Sequence, residues 1–323
     1  MNHISEILEG VRTVGIAGHI HPDGDCVGSC MGLYLYLKKN YPELQADIYL
    51  EQPAPIFGHI ACIDEILTEA GEEKEYDLFV TLDASSPDRI AVGFPHFQRA
   101  KKTVCIDHHI SNTGFAMLNH VEGKVGSASE VLYTLLDPDK VDVEIAKAIY
   151  TGMIHDTGVF QYSSTTSRTL RIAGELMDKG FDFSRIIDES FYQKSFKQTL
   201  AMGLVLADCK LFFDGGCILG CMTLDQMEEH GMGSKDLDGI VSQMRLTKGV
   251  EVAVLLYEME KDVFKASLRS SGTVDVSKVS VSFGGGGHAK AAGCTLMGDM
   301  DTVVRNITEA LGPLILEAQG RGV

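Results

Sequence analysis

Four short segments in the first half of the chain concentrate side chains that hold metal ions or move protons. The first, His19-Ile-His-Pro-Asp23-Gly-Asp25, followed by Gly28 and Ser29, carries two imidazoles and two carboxylates within seven residues. Pro22 and Gly24 predict an irregular loop in which Asp23 and Asp25 point the same way. The same two acids would also suit a helix N-cap, where a carboxylate complements the positive helix end. In the second segment Asp83 closes the run Asp77-Leu-Phe-Val-Thr-Leu-Asp83, with Ser85, Asp88 and Arg89 behind it. Taken alone, that acid also fits an ordinary turn cap. The third is Val104-Cys-Ile-Asp107-His108-His109-Ile-Ser-Asn112, and adjacent buried imidazoles call for ligation or hydrogen bonding. The fourth, Gly152-Met-Ile-His155-Asp156-Thr157-Gly158, ends an apolar helical run in His-Asp, and a histidine near the negative helix end is one structural use for it.

The joint occurrence says more than any one segment. Four segments of one domain each carry an Asp, three of them with flanking His, which supplies enough N and O ligands for two divalent ions. A mixed imidazole and carboxylate set suits Mn²⁺ better than an all-oxygen Mg²⁺ site, and it lacks the thiolates of structural zinc. The chemistry expected is that of a two-metal hydrolase. A fifth segment, Ser282-Phe-Gly284-Gly285-Gly286-Gly287-His288-Ala-Lys-Ala-Ala-Gly293, reads as an anion-binding nest of backbone N–H groups with His288 as a further donor, followed by a small-residue helix start. Upstream, Ser267-Leu-Arg269-Ser270-Ser271 sets an arginine and hydroxyls at a strand end, a set suited to phosphate or carboxylate. The glycine pattern matches neither a Walker A loop nor G-x-G-x-x-G.

The elements that must position these side chains read as an α/β fold. Strands are expected at residues 11–17, 47–50, 77–82 and 103–106, with a helix at 28–39 and further helices at 128–136, 143–153, 167–179 and 189–206. Each acidic or histidine cluster then follows a strand or helix, and in open parallel sheets ligands bind beyond the carboxyl ends of the strands. After about residue 206 the pattern changes to a hairpin around Asp214-Gly215-Gly216, a helix at 235–244, strands at 251–259 and 263–270, and a final helix at 300–318. The expected organisation is a first domain over residues 1–195, a linker over 196–207 and a second, smaller domain over 208–323.

Composition bounds the partners. The chain has 323 residues, with 28 Lys+Arg against 45 Asp+Glu and a formal net charge of −17. Long nucleic acid is held largely by counterion release at a basic surface, so binding of long nucleic acid is not expected. No secretory leader and no run of about 18 apolar residues is visible, which predicts a cytoplasmic protein with no membrane association. The eight cysteines are scattered and read as free thiols.

The segments His19-x-x-x-Asp23-x-Asp25-x-x-Gly28-Ser29, Asp83, Asp107-His108-His109 and Asp156 resemble the four motifs of the DHH phosphoesterase superfamily, and Phe283-Gly-Gly-Gly-Gly-His288-x-x-Ala-Ala-Gly293 resembles its associated C-terminal domain. Almost the whole chain is covered, and its length and C-terminal motif resemble the nano-RNase / pAp phosphatase group. The resemblance implies an N-terminal DHH domain with a parallel sheet flanked by helices, a smaller C-terminal α/β domain, and an active site in the cleft between them. It implies two divalent ions, Mn²⁺ first with Mg²⁺ or Co²⁺ as other choices, His19 and Asp23 holding one, Asp25, His108 and Asp156 the other, and Asp83 bridging. His109 would face the scissile phosphate, Asp107 would orient an imidazole, and Arg269, Gly285, Gly286 and His288 would grip the nucleotide; His21 and His155 have no ligand role. The implied substrates are short oligoribonucleotides of two to five nucleotides and pAp, and the implied assembly is a homodimer. The same motifs serve phosphodiesterases for linear or cyclic dinucleotide signals such as pApA, pGpG and c-di-AMP, while the intact metal motifs oppose a sensor that has lost catalysis.

Overall fold

Short apolar strands alternating with helices build a parallel sheet in the first of two units, which divide as Met1–Gln193 and Lys194–Val323. The computed structural model describes residues 3–72, 74–90 and 92–320. The first unit runs α1 (Ser5–Leu8), β1 (Thr13–Ala17), α2 (Gly24–Asn40), β2 (Gln45–Tyr49), β3 (Leu78–Leu82), α3 (Phe94–Arg99), β4 (Thr103–Asp107), β5 (Leu118–Val121), α4 (Ala128–Leu135), α5 (Val143–Asp156), α6 (Ser167–Met177) and α7 (Phe183–Ile187). The strand order is β2-β1-β3-β4-β5, every pairing parallel. β3 and β4 are buried along their whole length, as strands covered on both faces are. Val14, Ile16, Val80 and Ile106 pack on one face against Val27, Met31, Val131 and Ile149 of α2, α4 and α5. Phe79, Tyr49 and Tyr76 form an aromatic layer with Phe97 of α3 on the other.

Three local differences from the sequence expectation have physical causes. The helix expected at 28–39 begins at Gly24, because Asp23 caps it and lets the turn close four residues early. β5 was not expected: its residues are only partly buried and lack an apolar alternation, and pairing with β4 extends them. The helix expected at 189–206 is divided. α7 ends in a wide turn over Asp188–Tyr192, and Ser195 with Gln198 forms a capping box that starts α8 (Phe196–Ala207).

α8 covers the residues expected to link the domains, and its Ala201 and Val205 lie in a core of the second unit. There the chain continues through β6 (Lys210–Phe212), β7 (Cys217–Met222), α9 (Leu224–Glu229), α10 (Ile240–Arg245), β8 (Val252–Glu260), β9 (Val263–Ser270), α11 (Val276–Ser282), β10 (Gly286–His288), β11 (Ala291–Met297) and α12 (Met300–Gly320). The sheet order is β10-β11-β9-β8-β7-β6, antiparallel except for β7 with β8. α12 lays Val303, Ile307, Leu311 and Ile315 on one face, and α8 and α10 cover the other. The helix expected at 235–244 is interrupted at Gly239, whose φ of +85° breaks it and leaves α10 as its second part. The cysteines are free.

The glycine tract differs most from its expected form. Gly284 N–H donates to the Val281 carbonyl and Gly285 N–H to the Ser280 carbonyl, so these two groups close α11 and are not free for an anion. The small residues after His288 form β11 and not a helix start. A Cβ on Gly285 would lie 2.2 Å from the Gly293 carbonyl oxygen, and Gly287, at φ +138°, would place one 2.5 Å from the Ala291 carbonyl oxygen. Glycine is required here for the close approach of two backbones.

Candidate metal centre

The chain leaves β1 at Ala17 and returns to helix at Gly24, and the loop between carries His19 and Asp23. His19 Nδ1 lies 2.7 Å from the Ile20 carbonyl oxygen, which accepts its hydrogen bond and turns Nε2 inward. That nitrogen is 3.6 Å from Asp23 Oδ1 and 3.3 Å from Asp83 Oδ2. Asp23 Oδ1 also accepts from the backbone N–H of Asp25 and Cys26, both at 3.1 Å. The capping and site readings of this acid therefore coexist in one carboxylate. Asp25 is fully buried, and its oxygens accept from Ala128 N–H at 2.5 Å and Ser129 N–H at 2.9 Å. It thus lies at the positive end of α4, where backbone donors and the helix dipole favour an anion.

Asp83 follows β3 in a left-handed conformation, φ 55°, with its N–H donating to the Ile106 carbonyl. Its Oδ1 is 3.4 Å from His108 Nε2 and 3.6 Å from His109 Nδ1, yet it is buried with no hydrogen-bond partner among the described residues. His108 Nε2 is 3.2 Å from Asp156 Oδ2, at the end of α5, and 3.9 Å from Asp25 Oδ2. Asp107 ends β4 and accepts from His109 Nδ1 at 2.7 Å, from Asn112 Nδ2 at 2.6 Å and from His108 N–H at 2.8 Å. Asn112 is the fixing residue that sequence reasoning left without a role. Its signal was only its place three residues after two histidines. Ser127 was missed as well, although Ser127-x-x-Glu130 has the spacing of a capped helix start, and its hydroxyl accepts from Glu130 N–H.

Burial resists charge on His19, but hydrogen bonds to Asp23 and Asp83 outweigh it and push the imidazole up to about 12. His108 is likewise opposed by burial and raised to about 10 by Asp83, Asp25 and Asp156. Burial, then Asp83 and Asp156, drive Asp25 well above the usual carboxylate range, and burial raises Asp156 to about 6. His109 is raised chiefly by its hydrogen bond to Asp107. A centre with this excess of carboxylate takes up protons unless cations replace them.

Three groupings bring ligand atoms within 4.8 Å of one another: His19, Asp23 and Asp83; Asp25, His108 and Asp156; and Asp83, Asp107, His108 and His109. The orphaned Asp83 oxygen and the imidazole and carboxylate donors fit divalent cations. His21 is outside these groupings and meets Glu51. His155 turns away to Ser190 Oγ and packs against Phe57 and Phe191.

In the second unit, β10 is an edge strand, and the register sets His288 opposite Ala291 and Ala291 opposite Arg269. His288 and Arg269 thus occupy one row on one face, with Gly286 in the row of Gly293 and Ser267. Gly285 precedes the ladder, its N–H held by Ser280. Arg269 is half-buried, donates to the Leu268 carbonyl, and has no carboxylate partner among the described residues. Burial and the charge of Arg245 hold it below the ordinary guanidinium value.

Comparison with known proteins matches residues 13–153 to the DHH family, N-terminal domain, and residues 217–312 to the DHHA1 domain. A Thermus thermophilus relative, the bifunctional oligoribonuclease and PAP phosphatase NrnA, is 32% identical over 316 residues, covering 96% of this chain and 93% of that protein. The Bacillus subtilis protein of the same description is 27% identical, over 88% of this chain and 89% of its own. Among solved structures, an exopolyphosphatase-related protein from Bacteroides fragilis superposes with a TM-score of 0.86 at 26% identity, over 98% of this chain and 96% of that one.

Proposed function

The chain belongs to the DHH family, and from that premise we propose that it is a phosphoesterase that hydrolyses short oligoribonucleotides to mononucleotides and removes the 3′-phosphate of pAp to give AMP. The observation that supports this most is Asp83: buried, strained and with an unsatisfied oxygen, it stands between His19 with Asp23 on one side and His108 with Asp25 and Asp156 on the other. In this reading His19, Asp23 and Asp83 hold one divalent cation and Asp25, His108, Asp156 and Asp83 a second, with Mn²⁺ favoured by the donor set. Such ions, when bound, polarise phosphoryl oxygens and lower the pKa of water.

The remaining work falls to the chain itself. Asp107, fixed by Asn112, holds Nδ1 of His109 and leaves Nε2 to donate a proton to the departing 3′ oxygen. Asp25 ties α4 to the centre through its two backbone donors and keeps the carboxylate oriented. Arg269, Gly286 and His288 are assigned the grip on the nucleotide, Arg269 as a cation with no carboxylate partner among the described residues and Gly286 as a position that admits close approach, while Gly285, its N–H held by Ser280, serves the packing of the two strands. The same reading includes a cytoplasmic homodimer, drawn from the family resemblance. Among the described residues no helix is long and apolar enough to cross a membrane.

The test is hydrolysis of pAp and pApA by the purified protein with Mn²⁺, beside Asp83→Ala. Release of AMP from both, lost by at least about a thousandfold in the variant, is expected, since both cation sets lose a ligand. Cleavage of pApA but not pAp replaces this reading with a dinucleotide phosphodiesterase, and near-normal turnover by Asp83→Ala overturns the site.

A further inference from the structure

Beside the centre the surface of the first unit opens into a concavity of about 430 Å³, lined by His109, Ile110, Val121, Gly123 and Lys124 among others. Its floor is apolar in a place where that is unusual. Ile110 directly follows the two histidines and is 87% exposed, and Val121 at the end of β5 is 37% exposed. Gly123 lies against Ile110 and cannot cover it: a Cβ there would stand 3.0 Å from Ile110 Cγ1. Lys124 is exposed and makes no ion pair among the described residues, in a chain with a net charge of −17. Asn112 has its amide donors committed to Asp107 and the Ala84 carbonyl, and its oxygen accepts from Gly114 N–H.

A small apolar floor beside an exposed cation suits a ligand with a flat apolar face and an anionic group next to it. A polyphosphate would leave the floor unused. We infer that this shelf receives the nucleoside esterified to the far side of the scissile phosphate, its base on Ile110 and its next phosphate toward Lys124. The inference rests on the phosphoesterase reading above and extends it. It also separates the two substrates. pApA is pAp carrying one more nucleoside on its 3′-phosphate, so only pApA reaches the shelf.

The experiment measures kcat/KM for pApA and for pAp with wild type, Ile110→Ser and Ile110→Leu, all loaded with Mn²⁺. In Ile110→Ser the ratio of pApA to pAp is expected to fall about tenfold, the scale of losing one apolar contact surface, and in Ile110→Leu to stay within about twofold. For longer substrates, Lys124→Ala should raise the KM of a trinucleotide and leave kcat in place, as loss of uniform binding does. An equal fall on both substrates makes Ile110 a prop for His109 and overturns the shelf, as does an unchanged ratio. Wild-type protein that cleaves pAp but not pApA overturns it too. Wild type that cleaves neither overturns the phosphoesterase reading itself, whereas turnover of both with no change of ratio overturns the shelf alone.

Discussion

Asp83 adopts a left-handed backbone, which costs a residue with a side chain roughly 1–2 kcal/mol, and it buries an oxygen with no donor. Both costs are understandable if cations meet that oxygen, and the neighbouring imidazoles show what replaces them otherwise. His19, raised to about 12, and His108, raised to about 10, both carry protons at neutral pH when no cation is present. Ligation requires them neutral. Binding of Mn²⁺ at pH 7 is therefore expected to release protons, read as a calorimetric heat that varies with the ionisation enthalpy of the buffer; a buffer-independent heat would sink the ligand assignment. Because both pKa values lie above the ordinary 6.5, the charged pairs give the cation-free fold stability that is complete below that pH. This stability is lost as the pH rises through about 10 to 12, while cation affinity increases over the same rise. These residues were legible in the sequence only together, because each acid alone would serve equally as a cap, whereas four such segments in one domain would not. Asn112 was not, because it acts only by holding Asp107.

At the scale of elements, the site depends on how closely α2 and α5 cross. A Cβ on Gly28 would stand 2.6 Å from the Ala148 carbonyl oxygen and the Gly152 nitrogen, so the crossing tolerates no side chain there. Gly152 is as tight on its other side, where a Cβ would meet Ser129 Oγ at 1.9 Å and Asp25 Oδ1 at 2.8 Å. One helix start thus delivers Asp25 to the same place that the end of α5 delivers Asp156. Gly152→Ala is expected to destabilise the protein by about 1–3 kcal/mol through overpacking and to weaken Mn²⁺ binding by moving Asp25. Gly174→Ala on α6, where a Cβ meets nothing within 4 Å, should instead stabilise by roughly 0.5–1 kcal/mol. Thermal unfolding of the two variants with and without Mn²⁺ checks both, and a Gly152→Ala protein with wild-type metal affinity would remove the link between crossing and site. The strands of the first sheet were readable from their apolar runs, but β5 was not, since its extension comes from pairing with β4 and not from its own pattern. The glycine tract misled for a related reason. Four glycines signal close backbone approach, and the sequence does not say whether the other party is a ligand or, as at Gly285 and Gly287, the next strand.

Over the whole molecule, the proposed chemistry is performed on polyanions by a chain of net charge −17. Long RNA binds through many phosphates at once, each releasing counterions, and affinity then falls steeply with salt. Here the positive charge the reading assigns to substrate is local: the cations that the first unit would hold, Lys124 beside His109, and Arg269 on the second sheet. Such a protein can neutralise the few phosphates of a short oligonucleotide, and each phosphate beyond these adds repulsion from a chain of this net charge. We therefore expect kcat/KM for an RNA of about two dozen nucleotides to lie at least about a hundredfold below that for pApA at near-physiological salt, since several unneutralised phosphates each oppose binding. The salt dependence distinguishes this from a merely steric exclusion. For pApA, log kcat/KM should fall with log salt at a slope of about −1 to −2, as expected of one or two neutralised phosphates. For the long RNA, repulsion is screened as salt rises, so the residual activity should hold steady or increase. A long RNA cleaved as fast as pApA at low salt, and lost steeply as salt increases, would reveal an extended basic track and overturn this account of why substrates are short.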